Sequence, residues 1–342
     1  MSVSAITMPE VHALILTLDE EQHIGRCIKS FEGQCASVTV IDSGSKDRTV
    51  EIARSHGAQI LTNPWINYAT QMNFAIDALA GKTGWLLRID ADEVLDADSA
   101  ETLQQAVSKA ASDVDGLLVA RRIHFMGRRI RHGDIEPSWQ LRLWRNGRGR
   151  CEQRWMDEHI KVAGGVTRTG LVLSDINLNT LTWWTAKHNS YASREAIDIL
   201  NHRHGFRPSD GISSGGASRQ AKRRRFLKEH VYMSLPSGLR AVFYFLYRYV
   251  FRLGFLDGRS GWYFHLMQGL WYRTLVDAKV VEIETYAATR KVSIIDAIRA
   301  CTGISLSPAS EEARTVKLSN DADLPTPTIR HRGEMVAGTI ER

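Results

Sequence analysis

Apolar residues in the first hundred positions fall into short runs separated by polar turns, and two periods alternate along them. His12-Ala13-Leu14-Ile15-Leu16-Thr17 reads as a buried strand, after which Ile24, Cys27, Ile28 and Phe31 recur at helical spacing. Ser37 to Ile41 forms a second strand ending at Asp42-Ser43-Gly44-Ser45. Asp47 can cap a helix carrying Val50, Ile52 and Ala53, and Gly57 can stop it. Ala58 to Leu61 is a third short strand, and a helix follows from about Ile66 to Leu79. The run Trp85-Leu86-Leu87-Arg88-Ile89 then ends in Asp90-Ala91-Asp92-Glu93. Strand-helix alternation of this kind predicts an α/β domain on a largely parallel sheet with right-handed crossovers.

That last segment is the most informative. Alternate residues of a strand share a face, so Asp90 and Asp92 are expected to aim at one point beyond its C-terminal end. Open α/β sheets bind their ligands there. Two oxygen donors suit Mg²⁺ or Mn²⁺, which would bridge to substrate phosphates. A dinucleotide site would need a glycine-rich turn after the first strand. Here that turn is Thr17-Leu18-Asp19-Glu20-Glu21, with three acids and no glycine, so carboxylates would repel a pyrophosphate there. The pattern instead fits a nucleotide whose base and ribose meet the acids after strands one and two, with its diphosphate held through metal at Asp92.

If that diphosphate were a leaving group displaced by an acceptor hydroxyl, a general base would have to lie within reach of the hydroxyl. Downstream of the metal site the candidates are Asp134, Glu136, Asp157 and Glu158. Trp139-Gln140-Leu141-Arg142-Leu143-Trp144-Arg145 alternates like a strand, and Gln140, Arg142 and Arg145 are candidate contacts for acceptor or diphosphate. Lys187-His188-Asn189 follows Trp183-Trp184 and precedes a helix expected near Ser193.

The character changes in the C-terminal third. Residues 201–220 are rich in Gly, Ser and His and read as a flexible linker. Lys222-Arg223-Arg224-Arg225 precedes an aromatic, apolar stretch from Leu239 to Phe255. Arg240, Arg248 and Arg252 argue against a membrane span, because each costs roughly 2.5–3.5 kcal/mol at a bilayer centre. The three arginines fall on one helical stripe, opposite Val242, Phe243, Leu246, Val250, Phe251 and Leu253. That predicts a helix lying in the interface of an anionic membrane, its arginines toward the headgroups. Packing on the catalytic domain or a homodimer interface is the alternative use of the same residues. No DNA or RNA motif accompanies the basic run, so nucleic acid is not expected as a partner. Residues 305–342, rich in Ser, Thr, Pro and charge, read as a disordered tail.

Bulk properties narrow this only a little. The chain has 342 residues, 43% hydrophobic, enough for one large α/β domain and a smaller element. Its net charge of +6 favours phosphorylated substrates or anionic lipid. Cys27, Cys35, Cys151 and Cys301 show no metal-ligand spacing and read as reduced thiols. Met1 to Glu10 lacks the basic and apolar regions of a signal peptide, so a cytoplasmic location is expected.

Three motifs carry a resemblance: Thr17-Leu18-Asp19-Glu20-Glu21-x-x-Ile24, Val40-Ile41-Asp42-Ser43-Gly44-Ser45-x-Asp47-x-Thr49, and Asp90-Ala91-Asp92-Glu93. In this order and spacing they resemble family 2 of the inverting glycosyltransferases, with the GT-A fold. Asp19 stands where the family usually has Asn. The stretch from Asn63-Pro64-Trp65 through Gln71-Met72-Asn73 resembles the branch that builds lipopolysaccharide cores and other lipid-linked glycans.

The resemblance implies a GT-A catalytic domain over 1–200 and a helical membrane-associating module over 221–300. It implies nucleotide-sugar contacts from Thr17, Asp19, Glu20, Asp42, Gln71, Asn73, Asp90 and Arg142, with Asp92 and His188 at the metal. Related enzymes follow an Arg-Leu-aromatic-Arg strand with a His-Glu pair. Here that pair reads Asp157-Glu158, which favours Glu158 as base with Asp157 second. The implied activity moves a hexose, from a UDP-sugar by preference, to a lipid-linked saccharide or lipopolysaccharide-core acceptor. It would act at the inner face of a bacterial membrane. A sugar nucleotidyltransferase and an inactive membrane-bound scaffold of the same fold are the competing readings.

Overall fold

The computed structural model describes residues 9–152, 159–206 and 238–306. Eleven strands are described: β1 (Val11–Thr17), β2 (Ser37–Asp42), β3 (Gln59–Thr62), β4 (Trp85–Arg88), β5 (Glu93–Leu95), β6 (Val114–Phe125), β7 (Arg128–Ile130), β8 (Ser138–Arg145), β9 (Gly149–Cys151), β10 (Ile160–Val162) and β11 (Gly165–Ile176). Helices α1 (Ile24–Ser30), α2 (Thr49–Ser55), α3 (Tyr68–Ala78) and α4 (Leu103–Ser108) connect strands of the sheet. Nine strands form one sheet in the order β3-β2-β1-β4-β8-β6-β11-β5, with β7 paired to β6, and β9 and β10 pair separately.

The α/β architecture agrees with the expectation, and the first four strands of that order are parallel. The sheet beyond them is mixed. β8 runs antiparallel to both β4 and β6, whereas β11 is parallel to β6 and antiparallel to β5.

Alternate residues of β1 are buried on opposite faces, which explains its unbroken apolar run from Ala13 to Leu16. Val11, Ala13 and Ile15 pack with α1, α2 and α4 on one face, while Leu14 packs with Ala69, Met72 and Ala75 of α3 on the other. Trp85 and Leu87 of β4 join the first layer and Leu86 the second. A strand covered on both faces needs no polar positions. Gly84, which leads into β4, has φ +96°, and a Cβ there would meet the Glu10 carbonyl oxygen at 2.2 Å. Only glycine fits so close a backbone approach.

The C-terminal part is helical. It comprises α5 (Leu181–His204), α6 (Leu239–Leu246), a wide turn at Tyr247–Phe251, a tight turn at Gly254–Asp257, α7 (Gly258–Phe264), a second wide turn at His265–Trp271, α8 (Tyr272–Arg290) and α9 (Ile294–Thr302). Helix α5 begins twelve residues before Ser193, because the Thr180 side chain accepts from the Trp183 amide and caps it. It extends to His204 and ends at Gly205, which has φ +64°. Any linker therefore begins after the helix rather than at 201, and the rest of that segment lies outside the described residues. Ala192, Ala196 and Leu200 of α5 pack with Val276, Val280 and Ile283 of α8 and Ile298 of α9. By packing, the second half of α5 belongs to the helical part. Ile304 and Leu306 pack against the same cluster, so the first residues of the expected tail are ordered, and 307–342 lie outside the described residues.

The arginine stripe is found, but Arg240 and Arg248 face inward. Arg240 is buried and donates through Nε to both carboxylate oxygens of Asp277 at 2.8 Å. Arg248 is buried and donates to the Gly133 carbonyl at 2.9 Å. Arg252 pairs with Asp134 at 3.1 Å. Arg240 thus points inward to α8 and Arg248 to the loop between β7 and β8, which corrects the expected orientation of these two, while Arg252 stays about half exposed in its pair with Asp134. No helix among the described residues is long and apolar enough to cross a membrane.

Candidate functional site

At the C-terminal edge of the parallel strands, two turns hold each other. Asp19 after β1 has φ +56°, a conformation that Asp and Asn tolerate better than other side-chain-bearing residues. Its backbone amide donates to Ser45 Oγ at 2.9 Å, and its carboxylate accepts from the Lys46 amide at 2.8 Å. The Glu20 amide donates to Thr49 Oγ1 at 2.7 Å and the Glu21 amide to Asp47 at 3.0 Å. The Glu20 carboxylate accepts from His23 Nδ1 at 2.6 Å, while His23 Nε2 accepts from the Leu178 amide at 2.9 Å. The acids that excluded a pyrophosphate loop are thus the ties between the β1–α1 turn, the β2–α2 turn and the segment after β11.

Asp42 is buried, and its carboxylate is engaged on both oxygens. One accepts from the Gly44 and Ser45 amides at 2.9 Å, the other from Ser45 Oγ at 2.5 Å and Thr17 Oγ1 at 3.2 Å. Asp42 and Thr17 therefore shape the turn that borders the site. Gln71 is fully buried, donating to Ser43 Oγ at 2.8 Å and to the Asn63 carbonyl at 2.7 Å. Asn73 makes reciprocal 3.0 Å bonds with the backbone of Cys151. These two amides support the Ser43 turn and the edge of β9.

Asp90 and Asp92 follow β4 in a turn closed by the Glu93 amide donating to the Asp90 carbonyl at 2.9 Å. They are not alternate residues of a strand, and their surroundings differ accordingly. Arg142 donates through both terminal nitrogens to Asp90 Oδ2 at 3.2 Å, and Arg88 lies 3.5 Å from its other oxygen. Burial acts to raise the Asp90 pKa, but Arg142, Arg88 and Arg121 outweigh it and hold the carboxyl well below the usual range. Behind it Glu93 is buried, and burial pushes its carboxyl upward despite ion pairs to Arg142 and Arg121. Burial likewise raises Asp175, which Arg121 pairs from β6. Arg142 is therefore a buried partner of carboxylates and does not reach outward as a substrate ligand. Arg145 lies further off: it pairs in register with Trp85, at the start of β4 and away from the carboxylate turn.

Asp92 has the opposite setting. It is half-buried, one oxygen accepts from Asn177 Nδ2 at 2.9 Å, and the second has no hydrogen-bond partner among the described residues. Arg26 donates to its backbone carbonyl at 3.2 Å, and its backbone carbonyl also accepts from the Ile176 amide at 3.0 Å. One outward carboxylate oxygen on a braced turn fits Mg²⁺ or Mn²⁺, which take few protein ligands and complete their shell with phosphates and water. No cluster of three His, Cys, Asp or Glu that could hold a metal occurs among the described residues.

His188 is turned the other way. Its ring stacks on Trp184 with centroids 3.5 Å apart and meets Tyr191 and Tyr272 edge-on. Its Nδ1 donates to the Trp184 carbonyl at 2.8 Å, and burial pushes its pKa down to about 4. The structure does not bring His188 together with Asp92. Its neighbour Lys187 takes that side. The Lys187 ammonium lies 4.4 Å from the Trp183 ring centre; burial works against its charge, but Tyr191, Asp92 and Glu20 outweigh burial and raise its pKa. Helical spacing could have separated the two residues. Once α5 starts at Leu181, Trp184 and His188 share one face and Trp183 and Lys187 the next. Asn177 and Lys187 are the site residues the sequence did not reveal.

Asp157 and Glu158 lie outside the described residues. Their flanks are described: the β9–β10 hairpin pairs Cys151 with Ile160, and the Glu152 amide donates to the His159 carbonyl at 3.0 Å. Lys161 pairs with Glu152 at 3.0 Å.

Residues 13–170 match the family model described as glycosyl transferase family 2. Among curated proteins, the chain is 34% identical over 169 residues to the lipopolysaccharide core biosynthesis glycosyltransferase LpsC of Rhizobium meliloti, covering 47% of this chain and 61% of that one. It is 34% identical over 111 residues to an uncharacterized glycosyltransferase of Rickettsia bellii, covering 32% and 37%. The chain thus spans less than two thirds of these relatives. Among solved structures, glucosyl-3-phosphoglycerate synthase from Mycobacterium tuberculosis, in complex with Mn²⁺, uridine diphosphate and glucosyl-3-phosphoglycerate, is similar at a TM-score of 0.26. That match has 20% identity and covers 34% of this chain and 44% of that one.

Proposed function

From the match of residues 13–170 to glycosyl transferase family 2, we propose that this chain is a member of that family and an inverting, metal-dependent hexosyltransferase. The donor is a nucleotide sugar, UDP-linked by preference, and the acceptor a lipopolysaccharide-core or lipid-linked saccharide at the cytoplasmic face of a bacterial inner membrane. The observation that carries this reading is the division of labour in the Asp90–Asp92 turn. Asp90 is locked by Arg142 and Arg88, while Asp92 is braced by Asn177 with one oxygen left over. The likeness to a lipopolysaccharide-core enzyme supports the acceptor class.

Asp92 would hold the cation, which supplies charge neutralisation for a departing diphosphate. Glu158, with Asp157 second, would take the proton from the acceptor hydroxyl as its oxygen attacks the anomeric carbon. The bond to the diphosphate breaks, and configuration inverts because attack and departure lie on opposite faces. Lys187 adds a fixed positive charge beside Asp92 and Glu20.

The test is nucleotide release by the purified full chain from a panel of UDP-, GDP- and dTDP-sugars, with membrane extract as acceptor source. Asp92→Asn and Glu158→Gln should each lower turnover about a hundredfold or more. Asp92→Asn should also abolish stimulation by Mg²⁺ or Mn²⁺. Absence of turnover with every donor, or undiminished turnover in both variants, overturns the proposal.

A further inference from the structure

The helical part of the chain is inverted relative to an ordinary surface helix. Arg240, Tyr244, Arg248 and Arg252 recur every fourth residue; Arg240 and Arg248 are buried against the protein, Tyr244 is half-buried, and Arg252 lies at the exposed end of the stripe. Its ends are Arg240 on Asp277 and Arg252 on Asp134, with Arg248 on the Gly133 carbonyl between them. The outward stripe is hydrocarbon: Val242 is 42% exposed, Phe243 55%, Leu246 39%, Val250 46% and Phe251 76%. The turns that follow continue it with Leu253, Phe255 and Leu256, all exposed, and with Trp262 of α7 at their border. Isolated exposed apolar residues need no explanation, but a contiguous set held outward by two buried arginines, Arg240 in an ion pair and Arg248 on a backbone carbonyl, does.

The charge around this face selects its occupant. Between Gly238 and Val276 the only acidic residue is Asp257. Its side chain is 4% exposed and accepts from His132 Nδ1 at 2.7 Å and from the Arg131 and His132 amides. Asp134 on the same rim is neutralised by Arg252. Arg131 and Arg259 remain exposed beside the apolar stripe. An apolar face with a cationic rim and no uncompensated carboxylate complements an anionic phospholipid surface, where hydrocarbon enters the acyl boundary and arginines meet phosphates.

We infer that the outward face of α6 and the turns after it, centred on Phe243 and Phe251, is the surface by which this protein docks on an anionic lipid bilayer. Arg240 and Arg248, which the sequence would assign to headgroups, instead set the orientation from inside, by fixing which side of the helix is left for lipid. This deepens the proposed reading by naming the face that meets the membrane, and rests on it only for the acceptor's location, since docking needs no sugar transfer.

The experiment is flotation of the full-length protein with vesicles of phosphatidylcholine alone or mixed with phosphatidylglycerol. Wild type should float with the anionic vesicles, more weakly with neutral ones and less at high salt. Phe243→Ser with Phe251→Ser should lower partitioning about tenfold or more, since both side chains are already exposed and each would bury apolar area only on docking. Circular dichroism and the melting temperature should stay unchanged. If that variant fails to fold, wild-type protein provides the second measurement: brominated lipid should quench tryptophan emission, and Trp262→Phe should remove part of that quenching. Equal flotation of wild type and a folded double variant overturns the inference, as does failure of wild type to float. A concentration-dependent dimer broken by the double variant, without vesicle binding, would assign the face to a second copy and overturn it too. Asp92→Asn should float normally, so loss of docking and loss of transfer are read separately.

Discussion

At the scale of residues, the site separates side chains that meet solvent from those that hold them. Arg142 illustrates the difference. Its place on an alternating strand is visible in the sequence, but alternation cannot say whether a guanidinium points to substrate or to two carboxylates behind the substrate. The structure gives it to Asp90 and Glu93, with Arg142 2% exposed. Removing one partner of a buried ion pair leaves an uncompensated charge, at a cost of about 3–5 kcal/mol. Arg142→Met should therefore lower stability by that order in urea unfolding, and Glu93→Gln in the same chain should recover part of the loss. A stable Arg142→Met protein with only a raised KM would return Arg142 to the substrate. Asp92 was legible as the outward carboxylate because a D-x-D after an apolar run is local. Asn177, 85 positions away, was not, since only the β11 crossover brings it there.

At the scale of elements, strands and helices of the first half were readable because apolar period and length agree. β1, β2, α1 and α3 lie within about two residues of their expected bounds. The helical part was harder, because Arg240, Arg248 and Arg252 obey the same period whether the stripe faces headgroups or protein. The partners that decide, Asp277, Gly133 and Asp134, are distant in sequence. The segment from α6 through the second wide turn also contains His265, fully buried between Gly133 and Gly254, where a Cβ on either glycine would meet its ring. Arg248, Asp257 and His132 are the charged and titratable groups that act on it. Burial comes first and Arg248 next in pushing its pKa down to about 4, with Asp257 opposing. A histidine lowered in the folded state binds its proton more readily when unfolded, so its contribution is complete above about pH 6.5 and is lost as pH falls toward 4. Wild type should lose about 1–3 kcal/mol from this group across that window. His265→Leu should make the urea midpoint less dependent on pH there, and an unaltered slope would show that His265 is not the group responsible.

At the scale of the whole molecule, the sheet domain and the helical part are joined by few but specific polar contacts, and this joint was invisible in the sequence. Asp257, in the tight turn before α7, accepts the amides of Arg131 and His132 and the His132 ring. The Gly133 amide donates to the Arg252 carbonyl at 2.9 Å, and Phe264 packs with Phe125, Ile130 and Ile135 beneath. The Asp257 carboxylate, with three of these bonds, therefore holds the loop between β7 and β8 against the helices that carry the proposed docking face, beside Arg248 on the Gly133 carbonyl and Arg252 on Asp134. Asp257→Ala leaves two backbone amides without their acceptor, a cost of about 1–3 kcal/mol each where the amides stay buried. The apolar cores of the two parts share few side chains: α5, α8 and α9 have their own cluster, and the sheet layers theirs. Losing the joint should thus cost cooperativity more than core stability. Wild type is expected to unfold in urea in one transition by both tryptophan emission and circular dichroism. In Asp257→Ala the two probes should separate, with a lower apparent m for each step. Coincident transitions displaced to lower urea would mean that the Phe264 cluster and the Arg248 and Arg252 contacts suffice to couple the two parts, and that Asp257 contributes stability without serving as the joint.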